Sequence, residues 1–263
     1  MSQLAPVFEQ ARSEGRAALI GYLPAGFPTV SGSKDMLRAM VESGCDIIEV
    51  GLPFSDPVMD GPTIQVAAEQ ALRSGFRVRD LFDVVSSVAS AGGRAVVMTY
   101  WNPVLRYGVD AFARDLAAAG GLGLITPDLV PDEAADWMAA SDAHGLDRIF
   151  LVAPSSTEER IDLTASSSRG FLYATSVMGV TGARDVVSSA APELVRRVRE
   201  HTSIPVGVGL GVRSGAQAAE LAAFADGVIV GSAFVTAAGE GEHAVRALTS
   251  ELAQGVRSAV TPA

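Results

Sequence analysis

Short apolar runs alternate with longer amphipathic stretches along the 263 residues of the chain. Most of the runs are continuously apolar, which is typical of strands buried on both faces of a parallel sheet. The eight predicted strands lie near Ala18–Leu23, Asp46–Val50, Ala95–Thr99, Gly123–Thr126, Arg148–Val152, Phe171–Ala174, Pro205–Val208 and Gly227–Val230. This alternation predicts a parallel sheet covered by helices.

Amphipathic spacing predicts a helix in each interval, preceded by a leading helix near the N-terminus. The predicted helices are Gly32–Ser43, Ile64–Arg73, Arg79–Ala91, Val109–Ala119, Asp132–Ala143, Thr157–Ser166, Ala191–Glu200, Gly215–Ala223 and Glu242–Ala253. No segment resembles an interdomain linker, so we expect one domain over residues 1–263, a (β/α)8 TIM barrel with an extra N-terminal helix. An open doubly wound sheet is the alternative, but its GxGxxG fingerprint is absent after the first strand.

Two connections are long for this architecture, and both follow strands. Gly51–Thr63 follows the second strand and Val177–Ala190 follows the sixth. Long loops without secondary structure are usually functional in compact domains. In a barrel such loops lie at the carboxyl ends of the strands, where active sites are built.

The overall charge restricts the class of partner. The formal net charge is −10 and the pI is about 4.8, which disfavours binding to a nucleic-acid backbone. No apolar run reaches the roughly 18 residues needed to cross a membrane, and the N-terminus lacks the pattern of a signal peptide. We therefore expect a cytoplasmic protein that binds neither nucleic acid nor membrane.

The residues suited to covalent, redox and metal chemistry are few. The single cysteine, Cys45, excludes an internal disulfide and is expected to be a small buried hydrophobe. Lys34, the single lysine, begins a covering helix, so a Schiff-base lysine at a strand end is lacking. The three histidines lie in or beside predicted helices, which predicts no metal site at the barrel mouth. Acid–base catalysis by side chains is therefore the kind of chemistry that we expect.

Two carboxylates at the second strand are the candidates for that chemistry. Glu49 lies near the end of the strand, where a water-poor barrel mouth would raise its pKa toward neutrality. Pairing with an arginine of the next turn is the structural alternative. Asp60 lies in the following loop, where it either shares the mouth with Glu49 or only begins the helix after Pro62. Two carboxylates in different environments divide acid and base roles.

Glycine clusters follow the last three strands, at Gly179–Gly182, Gly207–Gly211 and Gly231-Ser232. Loops after the seventh and eighth strands form a phosphate site in many barrels, with backbone N–H groups at a helix N-terminus. Backbone amides bind an anion without changing the net charge of an acidic protein. The clusters therefore predict a small phosphorylated substrate.

Six motifs, in this order and spacing, make the chain resemble the tryptophan synthase α subunit family from about residue 15 to residue 235. They are Gly21–Gly26 (GYLPAG), Glu49–Pro57 (EVGLPFSDP), Asp60–Gln65 (DGPTIQ), Met98–Pro103 (MTYWNP), Pro127–Leu129 (PDL) and Gly179–Ala183 (GVTGA). The resemblance implies a (β/α)8 lyase of tryptophan biosynthesis that cleaves indole-3-glycerol phosphate to indole and glyceraldehyde 3-phosphate.

The resemblance also implies residue roles. Glu49 would be the proton shuttle, and Asp60 would stabilise positive charge on the indole nitrogen. Thr181 would help to close the site and to position Asp60. Tyr22 and Tyr173 would contact the substrate, or else only pack in the core. The implied phosphate-binding residues are Gly182, Gly211, Gly231 and Ser232.

The family works with a pyridoxal-phosphate (PLP) β subunit in an αββα assembly, so PLP is expected on the partner and no cofactor on this chain. The expected interface comprises Pro53–Asp60 and the loop after the sixth predicted strand, Val177–Ala190. The chain departs from the family pattern at Phe27, at Leu210 and at Val58-Met59, which affects pocket shape and interface contacts.

The sequence leaves three alternative functions. Another phosphate-binding barrel, such as a sugar-phosphate isomerase or indole-glycerol-phosphate synthase, is the first; the latter requires a catalytic lysine. A catalytically poor allosteric partner of the β subunit is the second, which intact Glu49 and Asp60 disfavour. A free-standing, indole-releasing lyase is the third.

Overall fold

The computed structural model describes residues 2–175 and 190–258. Nine strands occur in these two ranges, and every neighbouring pair is parallel. The strands are β1 Ala18–Pro24, β2 Ile47–Gly51, β3 Ala95–Met98, β4 Gly121–Ile125, β5 Asp147–Ile149, β6 Leu151–Val152, β7 Leu172–Thr175, β8 Val206–Gly209 and β9 Gly227–Val230. Their order in the sheet is β5-β4-β3-β2-β1-β9-β8-β7-β6.

The two ends of this sheet are consecutive in the chain. Only Phe150 separates β5 from β6, and its carbonyl accepts a hydrogen bond from the Tyr173 N–H (3.1 Å). β5 and β6 therefore form one interrupted strand, which corresponds to the predicted strand Arg148–Val152. The eight predicted strands and the (β/α)8 barrel are confirmed.

Twelve α-helices lie within the described ranges. They are α1 Ala5–Ser13, α2 Val30–Ser43, α3 Pro62–Arg73, α4 Val78–Ser90, α5 Trp101–Tyr107, α6 Val109–Ala118, α7 Ala135–His144, α8 Glu158–Ser167, α9 Ala190–His201, α10 Gly215–Ala222, α11 Ser232–Glu240 and α12 Glu242–Arg257. The leading helix is α1, as predicted, and each of the nine predicted helices has a counterpart.

The structure corrects the helix prediction at several points. α5 and α11 were missed: α5 has only seven residues and contains Pro103, and α11 is too uniformly apolar to show a polar stripe. The predicted start at Asp132 is wrong, because a 3-10 turn over Pro131–Glu133 precedes α7. α2 begins two residues before Gly32, since the Thr29 hydroxyl caps it by accepting the Gly32 N–H (2.9 Å).

The inside of the barrel is apolar at its amino-terminal end and is closed there by α1. Inward side chains from successive strands pack against Leu4 and Phe8, including Ile20, Ile47, Val96, Ile125, Ile149, Phe171 and Ile229. The Asp147 carboxylate holds this segment by accepting the Ser2 hydroxyl (2.8 Å) and the backbone N–H groups of Gln3 and Leu4 (2.9 Å each). A functional site is therefore expected at the carboxyl-terminal end of the barrel.

Among the residues that the structure describes, none of the helices has the length and apolar character required to cross a bilayer.

Candidate active site

Glu49 points into the barrel mouth because of its position on β2. Side chains two residues apart on a strand share a face, and Ile47 belongs to the cluster that fills the barrel. Glu49 lies two residues after Ile47, closer to the carboxyl-terminal end of β2, and is opposite Tyr22 of β1 in the strand register. Its side chain is 1% exposed. The predicted orientation is confirmed.

The surroundings of Glu49 favour its neutral form. Burial raises the pKa of its carboxyl group to about 8, and the negative charge of Asp60 contributes in the same direction. Within the described residues, the Oε2 atom has no hydrogen-bond partner and no arginine pairs with the carboxylate. The arginine-paired alternative is therefore wrong for the part of the chain that the structure covers. A buried acid with an unused oxygen and a pKa near neutrality is able to give and take a proton.

Asp60 faces the same mouth from the loop after β2. Its Oδ1 accepts a hydrogen bond from the Tyr100 hydroxyl (3.2 Å), and that hydroxyl accepts the Met59 N–H (2.9 Å). Burial raises the pKa of Asp60, while the hydrogen bond from Tyr100 lowers it. Gly61, not Asp60, occupies the N-cap position of α3. The alternative that Asp60 only begins the helix is therefore wrong.

Tyr100 was not among the predicted site residues, although it lies in the Met98–Pro103 motif. It is the N-cap residue of α5, and both oxygens of Asp128 accept the neighbouring Trp101 N–H (2.9 and 3.1 Å). The Phe54 ring packs against its ring at a centroid distance of 5.2 Å. The available signal was its place just after β3, the strand beside β2.

Tyr22 and Tyr173 flank the two carboxylates. Both rings are buried, and burial followed by the charges of Asp60 and Glu49 raises the pKa of each hydroxyl well above its ordinary value. The Tyr22 ring lies over Gly51, where a Cβ would be 2.4 Å from the hydroxyl oxygen. The Tyr173 ring lies over Gly209, where the corresponding distance would be 2.7 Å. Glycine at these positions makes room for two neutral hydroxyl groups at the mouth.

The glycine loops after β8 and β9 meet beside this mouth. Gly211 has a φ of +70°, a left-handed conformation that favours glycine. Gly231 is the N-cap of α11 and has no side chain to cap the first helical turn, whose N–H groups are thus available to an anion. Gly211 and Ser232 line one cavity of about 560 Å³. A Cβ at Gly231, the residue before Ser232, would be 3.6 Å from the Tyr22 ring, so the start of α11 lies beside Tyr22.

Thr181 and Gly182, which were predicted to close the site and to bind phosphate, lie outside the described residues. The histidines lie in α7, α9 and α12, and no group of metal-ligating side chains occurs in the described ranges. Cys45 is buried, as predicted.

A buried carboxyl group with a pKa near neutrality, a second carboxylate in a different environment and two glycine loops thus share one end of the barrel. The fold and this site define a class, the (β/α)8-barrel enzymes that use acid–base chemistry on a small anionic substrate.

Comparison with known proteins narrows the class to one family. The family model described as tryptophan synthase alpha chain matches residues 8–260, and the chain belongs to this family. Its activity is that of a carbon–carbon lyase, which cleaves indole-3-glycerol phosphate to indole and glyceraldehyde 3-phosphate in tryptophan biosynthesis. The isomerase and indole-glycerol-phosphate synthase alternatives are thereby excluded.

Similarity extends over nearly the whole chain. The tryptophan synthase alpha chain of Nocardia farcinica is 72% identical over 258 residues, which cover 98% of this chain and 97% of that protein. A structure of Mycobacterium tuberculosis tryptophan synthase has a TM-score of 0.95 at 70% identity, covering 97% of this chain and 98% of that chain. A tryptophan synthase complex from Pyrococcus furiosus has a TM-score of 0.83 at 33% identity, covering 90% of this chain and 98% of that chain.

Proposed function

We propose that Glu49 and Asp60 are the catalytic residues of this lyase. The observation that supports the proposal most strongly is the state of Glu49, which is buried, has an unpartnered Oε2 and has its pKa raised to about 8. Such a group exchanges protons near neutral pH, as the cleavage requires. Asp60 is close enough to influence that pKa, so one substrate contacts both groups.

The reaction needs two proton movements and one broken carbon–carbon bond. Glu49 donates a proton to the indole ring carbon that bears the side chain, and the nitrogen of the resulting indolenine becomes positively charged. Asp60 faces that charge, which develops in the transition state and is absent from the ground state. As the bond breaks, the adjacent side-chain hydroxyl becomes the aldehyde of glyceraldehyde 3-phosphate and returns a proton to Glu49. Protons balance over the cycle.

The groups around the two carboxylates bind the substrate. Tyr22 and Tyr173 contact the indole and glycerol portions, since their neutral hydroxyls border both carboxylates. The phosphate binds to backbone amides at Gly182, Gly211, Gly231 and Ser232, a proposal supported by the cavity that Gly211 and Ser232 line. Thr181 closes the site and positions Asp60, which excludes water and strengthens the charge interactions.

Glu49→Gln tests the assignment. Loss of the shuttle is expected to lower kcat for indole release by about 10²–10⁴-fold, the usual contribution of general acid–base catalysis. Binding of an unreactive phosphorylated indole analogue, measured by calorimetry, should change less than about threefold. Glu9 is an exposed residue of α1 at the other end of the barrel, so Glu9→Gln is the matched control and should behave as the parent. A Glu49→Gln enzyme that retains most of its turnover would remove Glu49 from the mechanism.

We further propose that the chain docks a β subunit in an αββα assembly and passes indole to it through an internal tunnel. Large apolar side chains are exposed on the segments after three adjacent strands: Val58 after β2 (69%), Leu105 after β3 (52%) and Val130 after β4 (46%). Loops after parallel strands lie on one face, so these side chains form an apolar surface around the mouth. We refer to these three side chains as the mouth patch. The rest of Pro53–Asp60 and the loop Val177–Ala190 are the other parts of the proposed interface.

PLP belongs to the partner β subunit. Covalent attachment of PLP would require a lysine at a strand end, and Lys34, the only lysine of the sequence, lies in covering helix α2. We propose in addition that the chain works in the cytoplasm and that residues 1–263 form a single domain. Proteolysis that leaves one resistant core, and fractionation of cells that produce the chain, test these two proposals.

A further inference from the structure

Arg213 lies where the chain leaves the predicted phosphate loop. It follows Gly211 by two residues in the segment between β8 and α10, and its side chain is exposed. Its backbone N–H donates to the Gln217 Oε1 (2.8 Å), which fixes the loop backbone. Arg213 lines the same cavity as Gly211 and Ser232, two of the three described residues assigned to phosphate binding.

The charges around this cavity are few. Of its ten lining residues within the described ranges, eight are uncharged and two are charged. Arg213 is the one cation among them and Glu240 the one anion. Glu240 is the last residue of α11, at the opposite end of that helix from Ser232, whereas Arg213 follows Gly211 by two residues. Arg213 is therefore the charged lining residue that lies beside the phosphate loop in the chain.

We propose that Arg213 is a specificity-determining residue whose guanidinium group binds the phosphate of the substrate from the outer side of the amide cradle. The inference rests on the proposed function of this cavity. Guanidinium groups present several N–H donors that match phosphate oxygens. Amides alone bind the anion without adding charge, whereas the chain as a whole has a net charge of −10. Arg213 supplies local positive charge that selects phosphorylated over unphosphorylated substrates.

Arg213→Gln is the central test, with steady-state kinetics on indole-3-glycerol phosphate. The contact with phosphate is the same before and during carbon–carbon cleavage, so the KM should rise roughly five- to tenfold while kcat changes less than about twofold. Arg213→Lys, which keeps the charge, should recover most of the loss. Inorganic phosphate, used as a competitive inhibitor, should lose affinity in parallel with the KM.

Two further variants separate charge from structure. Arg12→Gln removes an equally charged, exposed side chain from α1 at the opposite end of the barrel and should leave the KM unchanged. Glu240→Gln removes the opposing charge, so it should lower the KM and strengthen inhibition by phosphate about twofold. Opposite effects at Arg213 and Glu240 are specific to an electrostatic role.

A KM for Arg213→Gln within twofold of the Arg12→Gln value would overturn the inference, provided that the parent enzyme cleaves the substrate. So would an equal loss of kcat/KM for phosphorylated substrate and for unphosphorylated indole glycerol, because that result reports a structural role. If the parent does not cleave indole-3-glycerol phosphate, it is the proposed function that fails.

Discussion

At the scale of single residues, Glu49 is a carboxylic acid in a buried position that is unfavourable for its charged form. A carboxylate loses its hydration when it is buried, and here Oε2 has no compensating partner among the described residues. The carboxyl group therefore retains its proton to about pH 8. The same desolvation that raises the pKa of this group destabilises the folded chain once the proton leaves.

The stability of the protein should therefore depend on pH through Glu49. Its pKa rises from an ordinary 4.5 to about 8 on folding, so the folded chain binds an additional proton between these values. The free energy of unfolding consequently decreases as pH rises through this window. Glu49→Gln removes the effect, and its Tm should exceed that of the parent by at least about 3 °C at pH 9 and by less at pH 5. A constant Tm difference between pH 5 and pH 9 in calorimetry would contradict a raised pKa.

Tyr100 acts on the second carboxylate. Its hydroxyl donates to Asp60 and accepts from Met59, so Tyr100→Phe removes both bonds. The pKa of Asp60 should rise, because the hydrogen bond that lowers it is lost. We expect kcat to fall about tenfold, which is typical of one hydrogen bond to a charged group, and the acidic limb of the kcat–pH profile to move to higher pH.

Tyr107→Phe is the matched control for this prediction. The Tyr107 hydroxyl also donates to a carboxylate, Asp115 (2.6 Å), but between covering helices α5 and α6. It should leave both kcat and the pH profile as in the parent. An unshifted acidic limb in Tyr100→Phe would show that Tyr100 does not position or tune Asp60.

At the scale of elements, the site depends on helices being seated closely around the barrel. α10 follows the phosphate loop after β8, and it packs on α12 through two glycines. A Cβ on Gly255 of α12 would be 2.2 Å from the Gly215 carbonyl oxygen, and the Gly215 N–H donates to the Glu251 side chain (2.8 Å). This backbone contact sets the distance between the two helices.

Gly255→Ala should thus destabilise the chain although alanine is the better helix former. Overpacking against backbone costs typically 1–3 kcal/mol, which outweighs the gain of about 1 kcal/mol in helix propensity. Gly239→Ala in α11 is the opposite case, because the nearest atom to its Cβ would be 4.0 Å away. It should stabilise the chain by about 0.5–1 kcal/mol. Urea unfolding of both variants measures the difference, and a shift of the same sign in the two would contradict the packing argument.

At the scale of the whole molecule, the two ends of the barrel differ in purpose. The amino-terminal end is filled by apolar side chains and closed by α1, which stabilises the fold. The carboxyl-terminal end holds the carboxylates, the glycine loops and the mouth patch. The proposed catalytic site and the proposed docking surface therefore share one face, so we expect binding of a partner to influence the site.

Docking is testable at the mouth patch. Leu105→Asp places a charge in an apolar interface and should weaken binding to the β subunit at least about tenfold, measured by calorimetry. The increase in cleavage rate that the β subunit produces should be lost at the same concentrations. Leu163→Asp changes an exposed leucine of covering helix α8 and should leave binding as in the parent. Equal cleavage rates of the parent with and without the β subunit would instead favour a free-standing lyase.

The sequence alone determined the barrel and predicted that two acids, Glu49 and Asp60, lie at its mouth. Continuous apolar runs at eight places report burial on both faces of each strand, and this property is local in the chain. Glu49 was recognisable because a charged residue at the end of such a run is unusual. The catalytic and binding roles of the site residues stay predictions, and Thr181 and Gly182 in addition lie outside the described residues.

Only the tertiary structure decided what surrounds those acids. The hydrogen bond from Tyr100 to Asp60 joins residues 40 positions apart, and the close approach of Gly215 to Gly255 likewise has no local signal. The desolvation of Glu49 depends on β1 and on the loop that carries Asp60, both of which are brought to it by closure of the barrel. Apolar periodicity records which residues are buried, whereas the pKa of a buried acid depends on which groups it is buried among.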